Sequence, residues 1–283
     1  MEVGVGDDAA VITSDSGDPL LVTTDAICDG VDFHLAEVGP RLAGRKAMAV
    51  CLSDIAAMGG RPTVAVATVT APVETRLAAL QDLYLGMKEV ADEFDVQIVG
   101  GDSTSWEGAL AISVTCLGRG QPVLRSGARI GDAICVTGRV GGSILGRHLD
   151  FTPRVREVAE LRSKCTIHSM IDISDGLARD LHHILEASAV GAEIDGSAVP
   201  ISEDAQTLAR RTGKSPLDHA LADGEDFELL FTLSKEASLT ITASPPQEMA
   251  ITRIGTIVKS GCTIHRNGAP EELPPMGYVH EFR

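Results

Sequence analysis

Hydrophobic and polar positions follow two different periods along the first half of the chain. Residues 20–25 (LLVTTD) form a short apolar run that ends in polar groups, and 63–70 are rich in β-branched side chains, so both segments predict strands. Residues 40–59 are apolar nearly all round, which predicts a buried helix that ends at Gly59-Gly60. Apolar side chains at helical spacing predict a second helix over 74–94.

The pattern returns to strands after this second helix. Residues 96–99 are strand-like, Gly100-Gly101-Asp102 favours a turn, and 109–117 alternate with the period of a strand. Strands that alternate with helices indicate an α/β domain.

A second half of similar size follows residues 118–122 (GRGQP), which predict a linker. Beyond it the predicted strands are 133–137, 169–173, 192–195 and 227–233, and the predicted helices are 175–187 and one near 202–212. We therefore predict a mixed α/β chain with one domain at 1–120 and another at 121–283.

The composition argues against several classes of binding partner and of structural site. The 283 residues are 44% hydrophobic and carry a net charge of −16, with pI near 4.8, which argues against binding to nucleic acid or to an anionic membrane surface. No segment approaches the ~20 apolar residues of a spanning helix. The six cysteines lie far apart without a CxxC motif, so we expect reduced thiols in a cytoplasmic protein and neither a zinc site nor a disulfide framework.

The candidate chemistry begins with Asp54, which lies inside the apolar helix predicted over 40–59. No Lys or Arg stands three or four residues away to pair with it. An unpaired buried carboxylate costs on the order of several kcal/mol, so this group must be neutral, paired from a distant segment or bound to a metal. Taken alone, a distant arginine or an exposed helix edge explains Asp54 as well as a metal does.

Four more acidic clusters follow hydrophobic segments. They are Gly6-Asp7-Asp8, Thr23-Thr24-Asp25, Gly100-Gly101-Asp102 and Asp172-Ile173-Ser174-Asp175-Gly176. Each alone is most simply a turn or a helix cap, but strand ends are where open α/β folds bind ligands, so the set predicts one shared site. Aspartate and hydroxyl oxygens without a matching set of Lys and Arg select Mg²⁺, and an acidic magnesium pocket near glycines points to nucleotide phosphates.

Rival chemistries have little support in the sequence. There is no GxxxxGK[ST] phosphate loop and no GxSxG motif. The glycines at 138–142 favour a tight strand–helix turn over a phosphate-binding loop. His182-His183 are adjacent and not four residues apart, so they do not form the helical pair that binds zinc.

Seven motifs occur in a fixed order along essentially the whole chain. They are GVGDDAAVI at 4–12, TTDAICDGVDF at 23–33, GRKAMAVCLSDIAAMGGRP at 44–62, VGGDST at 99–104, RSGARIGDAICVTG at 125–138, IDISDGLARDL at 171–181 and GEDFELLF at 224–231. This ordered set resembles the thiamine-monophosphate kinase family of the aminoimidazole-ribonucleotide-synthase-like superfamily. Family members carry a helical segment before the first motif, so we expect this chain to be shorter at its N-terminus.

The resemblance implies a two-domain enzyme that uses ATP and several Mg²⁺ ions to phosphorylate thiamine monophosphate. It implies a homodimer whose N-terminal domains form a β-barrel-like interface across the dimer, and a C-terminal α/β domain that completes the active site. Two alternatives stay open: a non-catalytic sensor that binds ATP and magnesium, and a related kinase that acts on another phosphorylated metabolite.

The resemblance also implies roles for individual residues by motif position. Magnesium would be held by Asp8, Thr23, Thr24, Asp25, Asp54, Asp102, Asp172 and Asp175, of which Asp54, Asp102 and Asp175 would be catalytic. ATP would be contacted by Gly101, Asp102, Arg125 and Ser174. The substrate would be contacted by Glu225, Tyr278 and Asp32, the last at a position where the family usually has histidine.

The implied reaction needs no strong general base. A phosphate monoester has a second pKa of about 6, so the attacking oxygen is largely deprotonated at neutral pH. We therefore expect direct in-line transfer in which magnesium screens the repulsion between the two anions.

Overall fold

The computed structural model describes residues 3–13, 17–246 and 249–279, which fold into two compact units. Unit 1 comprises Met1–Pro122 together with Leu149–Val155, and unit 2 comprises Val123–His148 together with Arg156–Arg283. Each unit contains one β-sheet with helices packed against it, so the predicted mixed α/β fold is confirmed. None of the described helices combines the length and the apolar composition that a membrane span requires.

Unit 1 is built on a five-stranded sheet and two long helices. Its elements are β1 (Ala10–Ile12), β2 (Leu20–Cys28), α1 (Leu35–Ala57), β3 (Arg61–Pro72), α2 (Leu77–Glu93), β4 (Gln97–Trp106) and β5 (Ala111–Arg119). The strand order is β1-β2-β5-β3-β4, in which only β3 and β4 run parallel. The sheet is open, so β1 and β4 are its edges.

The two predicted helices of unit 1 are confirmed, and the first one starts earlier than expected. Helix α1 begins at Leu35, but Gly39 has φ of 76° and ψ of 164°, so the helix is interrupted there and resumes at Pro40. Proline is favoured in the first turn because its missing N–H has no partner to lose. The predicted start at 40 is therefore the start of the second segment.

The turn predicted at Gly100-Gly101-Asp102 is wrong, because β4 continues through these residues. Gly101 pairs with Ala67 of β3, and a β-carbon on Gly101 would lie 1.9 Å from the Ala67 carbonyl oxygen. Gly101 therefore serves the close approach of two strands and not a reversal of the chain. Likewise Thr23-Thr24-Asp25 do not end β2, which continues to Cys28.

The sheet of unit 1 has one face covered by helices and one open face. Helix α1 packs against β2, β5 and β3, and α2 packs against α1 and β4. Along β3, Ala65, Ala67 and Val69 are buried under these helices, whereas Val66 and Thr68 point the other way and are exposed. We call the two sides the helix face and the open face.

Unit 2 contains a seven-stranded sheet. Its strands are β6 (Ala133–Thr137), β7 (Ile167–Asp172), β8 (Gly191–Asp195), β9 (Leu229–Leu233), β10 (Ile251–Val258), β11 (Cys262–Arg266) and β12 (Ala269–Glu272), in the order β12-β11-β8-β10-β6-β9-β7. The helices are α3 (Arg147–Asp150), which lies at the boundary between the units, α4 (Val155–Lys164), α5 (Leu177–Ser188), α6 (Glu203–Thr212), α7 (Pro216–Ala222) and α8 (Lys235–Ala243).

The strands and helices predicted in unit 2 are confirmed, and several others went unpredicted. The core packs Leu177, Leu181, Ile184 and Leu185 of α5 against β6, β7 and β8, which is the apolar stripe that the sequence shows. The unpredicted elements include helices α4, α7 and α8 and strands β10–β12. Most neighbouring strands are antiparallel, so the alternation of strands and helices along the chain did not produce a parallel sheet.

Candidate active site

The acidic cluster of unit 1 lies on the helix face, between β2 and α1. The Thr23 hydroxyl donates a hydrogen bond of 2.5 Å to Oδ2 of Asp54. The Asp25 carboxyl is hydrogen-bonded to Asp54 as well, and Cys51 Sγ lies 3.6 Å from Oδ2 of Asp25. The structure therefore brings together Asp25 and Asp54, which are 29 positions apart along the sequence.

Asp8 belongs to the same cluster. Its side chain is 9% exposed, and it offers a carboxylate oxygen within 4.8 Å of one from Asp54. Burial raises the pKa of Asp25, as does the charge of Asp32, while the hydrogen bonds from Asp54 and Cys51 lower it. A close set of carboxylates and one hydroxyl, with the carboxylate charge disfavoured by burial, has the donor chemistry of a magnesium site.

Two other predicted ligands in unit 1 lie on the open face. Thr24 alternates with Thr23 and Asp25 along β2, is exposed, and hydrogen-bonds Val114 and Thr115. Asp102 pairs with Thr68 of β3, whose side chain is on the open face, and accepts a hydrogen bond from the Ser103 N–H. Within unit 1 the side chains of Thr24 and Asp102 are therefore not gathered with Asp25 and Asp54.

Asp32 lies in the turn that joins β2 to α1. Its Oδ2 accepts a hydrogen bond of 2.7 Å from the Cys28 N–H, and its carbonyl accepts one of 2.7 Å from Nζ of Lys46. The Lys46 side chain is completely buried, although lysine is among the residues least often found there. No pattern in the sequence indicates this contact, because only the fold of the turn places Lys46 beside the Asp32 carbonyl.

The acidic motif of unit 2 follows β7, as predicted, and it contacts two other predicted segments. Asp172 is 2% exposed at the end of the strand. The Ser174 carbonyl accepts the N–H of Glu225 at 2.7 Å, and the Asp175 carbonyl accepts the N–H of Tyr278 at 2.9 Å. Residues predicted to bind metal, ATP and substrate are thus joined by backbone hydrogen bonds in one unit.

Asp180 is a member of this group that sequence reasoning missed. Its Oδ2 accepts the N–H of Asp175 at 3.1 Å and that of Gly176 at 3.0 Å, so it fixes the loop before α5. Burial raises its pKa well above the usual value, and the charges of Asp175 and Asp172 add to that effect. An aspartate on the buried stripe of a predicted helix, like Asp54, was the signal that could have revealed it.

The segment around Glu225 has an unusual backbone. Glu225 has φ of 53° and Phe227 φ of 49°, a left-handed conformation that costs non-glycine residues on the order of 1 kcal/mol each. The N–H groups of Asp226 and Phe227 both donate to the Ile173 carbonyl, which holds this conformation in place. Strained backbone beside a predicted substrate contact is typical of a functional site.

The glycine turn at 138–142 binds the chain's own carboxylates. The Gly141 N–H donates to both oxygens of Asp226, and the Gly142 N–H donates to Asp223 at 3.0 Å. Since these amides already have anionic partners, the turn is not free to bind a phosphate, which confirms the interpretation as a tight strand–helix turn.

Asp226 forms the centre of a buried charge network that the sequence did not reveal. It pairs with Arg147, which also lies 3.5 Å from Glu228. Burial raises the pKa of Asp226 to about 7, against the opposing effects of Arg147 and the Gly141 N–H, while the charges of Glu228 and Asp223 raise it further.

Arg125 is half-buried in the segment that precedes β6. Burial and the charge of Arg125 lower the pKa of His183 on α5, whereas the charge of Asp175 raises it. Arg125 and Asp175 therefore both lie near His183, which places the predicted ATP contact close to the acidic motif of the same unit.

Known proteins that are similar to this chain belong to the family that the seven motifs resemble. Residues 6–120 match the family model for the N-terminal domain of AIR synthase related proteins, and residues 129–266 match that for the C-terminal domain. The chain is 44% identical to a thiamine-monophosphate kinase of Rhodopirellula baltica over 98% of this chain and 91% of that protein. It is 34% identical to one of Bacillus subtilis, covering 99% and 94%.

A solved structure supports the same relationship. A structure described as AaThiL complexed with AMPPCP and TMP superposes with a TM-score of 0.87 and 30% sequence identity, covering 99% of this chain and 93% of that one. The resemblance inferred from the seven motifs is therefore confirmed.

Proposed function

Because this chain belongs to the AIR synthase related family, with thiamine-monophosphate kinases as its relatives, we propose that it transfers the γ-phosphoryl group of ATP to thiamine monophosphate. The product is thiamine diphosphate. In this proposal residues 1–120 bind magnesium and form the dimer, and residues 121–283 contribute the remaining residues of the active site.

The observation that carries the proposal is the oxygen-rich cluster of Asp8, Thr23, Asp25 and Asp54. Two of its carboxyl groups are within hydrogen-bonding distance of each other, an arrangement that protonation or a cation must neutralise. These residues of unit 1 fit Mg²⁺, which their four side chains would hold. Bound magnesium supplies charge neutralisation for the phosphates.

Thr24 and Asp102 are not ligands of the same metal ion as Asp25 and Asp54 in this proposal. Their side chains are on the open face of the unit 1 sheet, so a role in metal binding requires ligands other than the Asp25–Asp54 cluster. Gly101 and Asp102 lie on the edge strand β4, and their contacts with ATP are those that the family resemblance implies.

The remaining steps belong to residues that bind and orient. The attacking phosphate oxygen is already largely deprotonated at neutral pH, so no side chain needs to remove a proton. Arg125 offers a planar cationic group suited to phosphate oxygens, with Ser174 beside the nucleotide. Glu225 and Tyr278, which flank the Ser174-Asp175 segment, would face the thiamine group, and Asp32 would approach the substrate from the β2–α1 turn.

A direct assay tests the proposal. We expect thiamine diphosphate to form from thiamine monophosphate, ATP and Mg²⁺, with one ADP released for each product molecule. Chromatography of the fluorescent thiochrome derivatives separates substrate from product, and omission of Mg²⁺ is the control. A non-catalytic sensor would show a higher melting temperature with Mg²⁺ and an ATP analogue but no product. A kinase for another metabolite would release ADP only with a different phosphate monoester.

We also propose that the chain is a homodimer formed through the β4 edge of unit 1. This strand is ten residues long and exposed, and a long open edge is a template for pairing with another chain. Beside it runs an open groove of about 930 Å³ between α2 and strands β3 and β4. Leu77, Tyr84, Leu85 and Val99 are 42–70% exposed along it, a continuous apolar surface typical of an interface.

A second copy of the chain is the occupant that fits this surface. The strand edge and the groove are contiguous, so one interface can cover both, and pairing of β4 with β4 would extend the sheet across the two subunits. Such an extended sheet is the β-barrel-like interface that the family resemblance implies.

We propose a cytoplasmic location for the protein. All six cysteines are free, and burial raises the pKa of Cys51, Cys116 and Cys135, which keeps these thiols protonated and unreactive. Unpaired cysteines of this kind suit a reducing compartment. Fractionation of the native host cells followed by immunoblotting would test this location.

A further inference from the structure

The last residue of helix α5 holds the backbone of the segment that carries Arg125. The Ser188 hydroxyl accepts the N–H groups of Gly127 and Ala128, each at 3.1 Å, and it donates to the Arg125 carbonyl at 3.2 Å. A serine hydroxyl has one donor and two acceptor positions, so these three contacts use its full capacity. This side chain is therefore fully committed to the 125–128 backbone.

The segment is fixed at both sides of this contact. On one side the Met170 N–H donates to the Leu124 carbonyl at 3.1 Å. On the other, Oδ2 of Asp132 accepts the Arg129 N–H at 2.8 Å and lies 2.8 Å from Nδ1 of His168. Between these two anchored ends, Ser188 holds the backbone of residues 125–128, which begins with Arg125.

Gly127 makes the backbone of residues 125–128 flexible unless another side chain holds it. It has φ of 124°, and a β-carbon there would lie 2.4 Å from the His168 carbonyl oxygen, so only glycine fits. Glycine also has the greatest backbone freedom of any residue whenever its contacts are lost. The hydrogen bonds from the N–H groups of Gly127 and Ala128 to the Ser188 hydroxyl restrict that freedom in the folded chain.

Helix α5 connects this segment to the acidic motif. Asp180 near its start holds the amides of Asp175 and Gly176, and Ser188 at its end holds the amides of Gly127 and Ala128. Twelve residues of helix span about 18 Å, and a helix of this length is stiff. One rigid element therefore sets the distance between the Arg125 segment and the Asp175 segment.

We propose that Ser188 is a positioning residue for Arg125, which keeps the guanidinium where it binds a nucleotide phosphate. This inference rests on the proposed function, in which Arg125 contacts ATP. Bidentate contacts between a guanidinium and a phosphate depend strongly on geometry, so a loosened backbone at Arg125 weakens nucleotide binding without removing any group that touches the nucleotide.

The experiment measures binding of AMPPCP in the presence of Mg²⁺ by isothermal titration calorimetry. We expect S188A to raise Kd about tenfold, as loss of a supporting hydrogen bond does at comparable sites. S188T, which keeps the hydroxyl, should stay within about twofold of the wild type, and S188C, with a weaker hydrogen-bonding thiol, should fall between the two. The matched control is S163A, since the Ser163 hydroxyl near the end of α4 donates to the Glu160 carbonyl of its own helix.

A double-mutant cycle separates positioning from general destabilisation. If Ser188 acts through Arg125, the variant S188A/R125A binds AMPPCP no more weakly than R125A alone. An equal additional loss in the R125A background, or a wild-type Kd for S188A, overturns the proposal. An unchanged Kd for R125A overturns it too, because nothing would then be positioned.

Failure of the proposed function gives a different result. In that case the wild-type chain forms no thiamine diphosphate, whatever the cycle shows for AMPPCP. Melting temperatures of all variants show that the folded state is retained, and if S188A does not fold, S188C and S188T carry the same comparison.

Discussion

Asp54 is a carboxylate inside an apolar helix, and its partners come from a neighbouring strand. The side chains of Thr23 and Asp25 both point to the helix face of β2, and they hydrogen-bond Asp54 where this strand packs against α1. The carboxylate that is anomalous within its own helix therefore has partners from another segment. The identity of the partners depends on how α1 packs on β2.

The Asp54→Asn variant tests the magnesium proposal at this residue. We expect turnover to fall at least ~100-fold, because an amide is a poor substitute for a charged oxygen ligand, while the free energy of unfolding changes by less than ~1 kcal/mol. Chromatographic measurement of thiamine diphosphate formation and urea unfolding measure the two effects. D92N is the matched control, since Asp92 pairs with Lys88 on the exposed surface of α2. Near-normal turnover of D54N at saturating Mg²⁺ and ATP would remove Asp54 from the ligand set.

Asp226 provides a prediction about pH. Its pKa is raised from 3.8 to about 7, so between these values the folded chain holds a proton that the unfolded chain has lost. This contribution to stability is complete below pH 4 and is lost as the pH rises from about 4 to about 7. The loss should be on the order of 1–4 kcal/mol.

The measurement compares the wild type with Asp226→Asn. Urea unfolding followed by circular dichroism at pH 4.5, 6 and 7.5 gives the difference in free energy of unfolding. We expect the advantage of the wild type over D226N to decrease as the pH rises through this range. A difference that is constant across the three pH values would contradict the raised pKa.

At the scale of elements, the contact between α1 and α2 depends on two glycines. A β-carbon on Gly44 would lie 2.0 Å from the Leu83 carbonyl oxygen, and one on Gly86 would lie 2.0 Å from that of Arg41. Neither glycine has a positive φ, so both are needed for close packing and not for backbone conformation. The backbones of the two helices are therefore in direct contact at these glycines. This contact sets the position of α1, which carries Asp54.

Gly86→Ala tests this contact. Alanine favours a helix by about 1 kcal/mol over glycine, yet we expect a net loss of ~2 kcal/mol in the free energy of unfolding because the methyl group has no space. Urea unfolding of unit 1, followed by the fluorescence of Trp106, measures the change. G100A is the control, since the nearest atom to a β-carbon there is 4.0 Å away. A stabilised G86A variant would show that the helices can separate freely.

At the scale of the whole molecule, the exposed β4 edge should be the site of association. We expect sedimentation velocity to give a dimer for the wild type and a monomer for the double variant L77D/V99D, because buried carboxylates without partners disfavour the interface. L239D is the control, as Leu239 on α8 is 60% exposed in unit 2. A monomeric wild type, or a dimeric L77D/V99D, would contradict association through this surface.

The sequence by itself determined the mixed α/β composition, the family, most of the described strands and the helices α1, α2, α5 and α6. Periodicity is a local property, so stripes such as Leu177, Leu181 and Ile184 predict a helix without knowledge of its neighbours. The unusual aspartates could be recognised for the same reason, since each was anomalous within its own segment.

The tertiary structure alone decided which of those aspartates lie together. Side chains on neighbouring positions of a strand point to opposite faces, so pairing register separated Thr24 and Asp102 from Asp25 and Asp54. The turn predicted at Gly100-Gly101-Asp102 failed because Gly101 serves a contact with Ala67, about 34 positions away in sequence. The contacts of Ser188 with Gly127 and Ala128, and of Lys46 with Asp32, join separate segments. No local pattern encodes a contact whose partner is set by the packing of the whole unit.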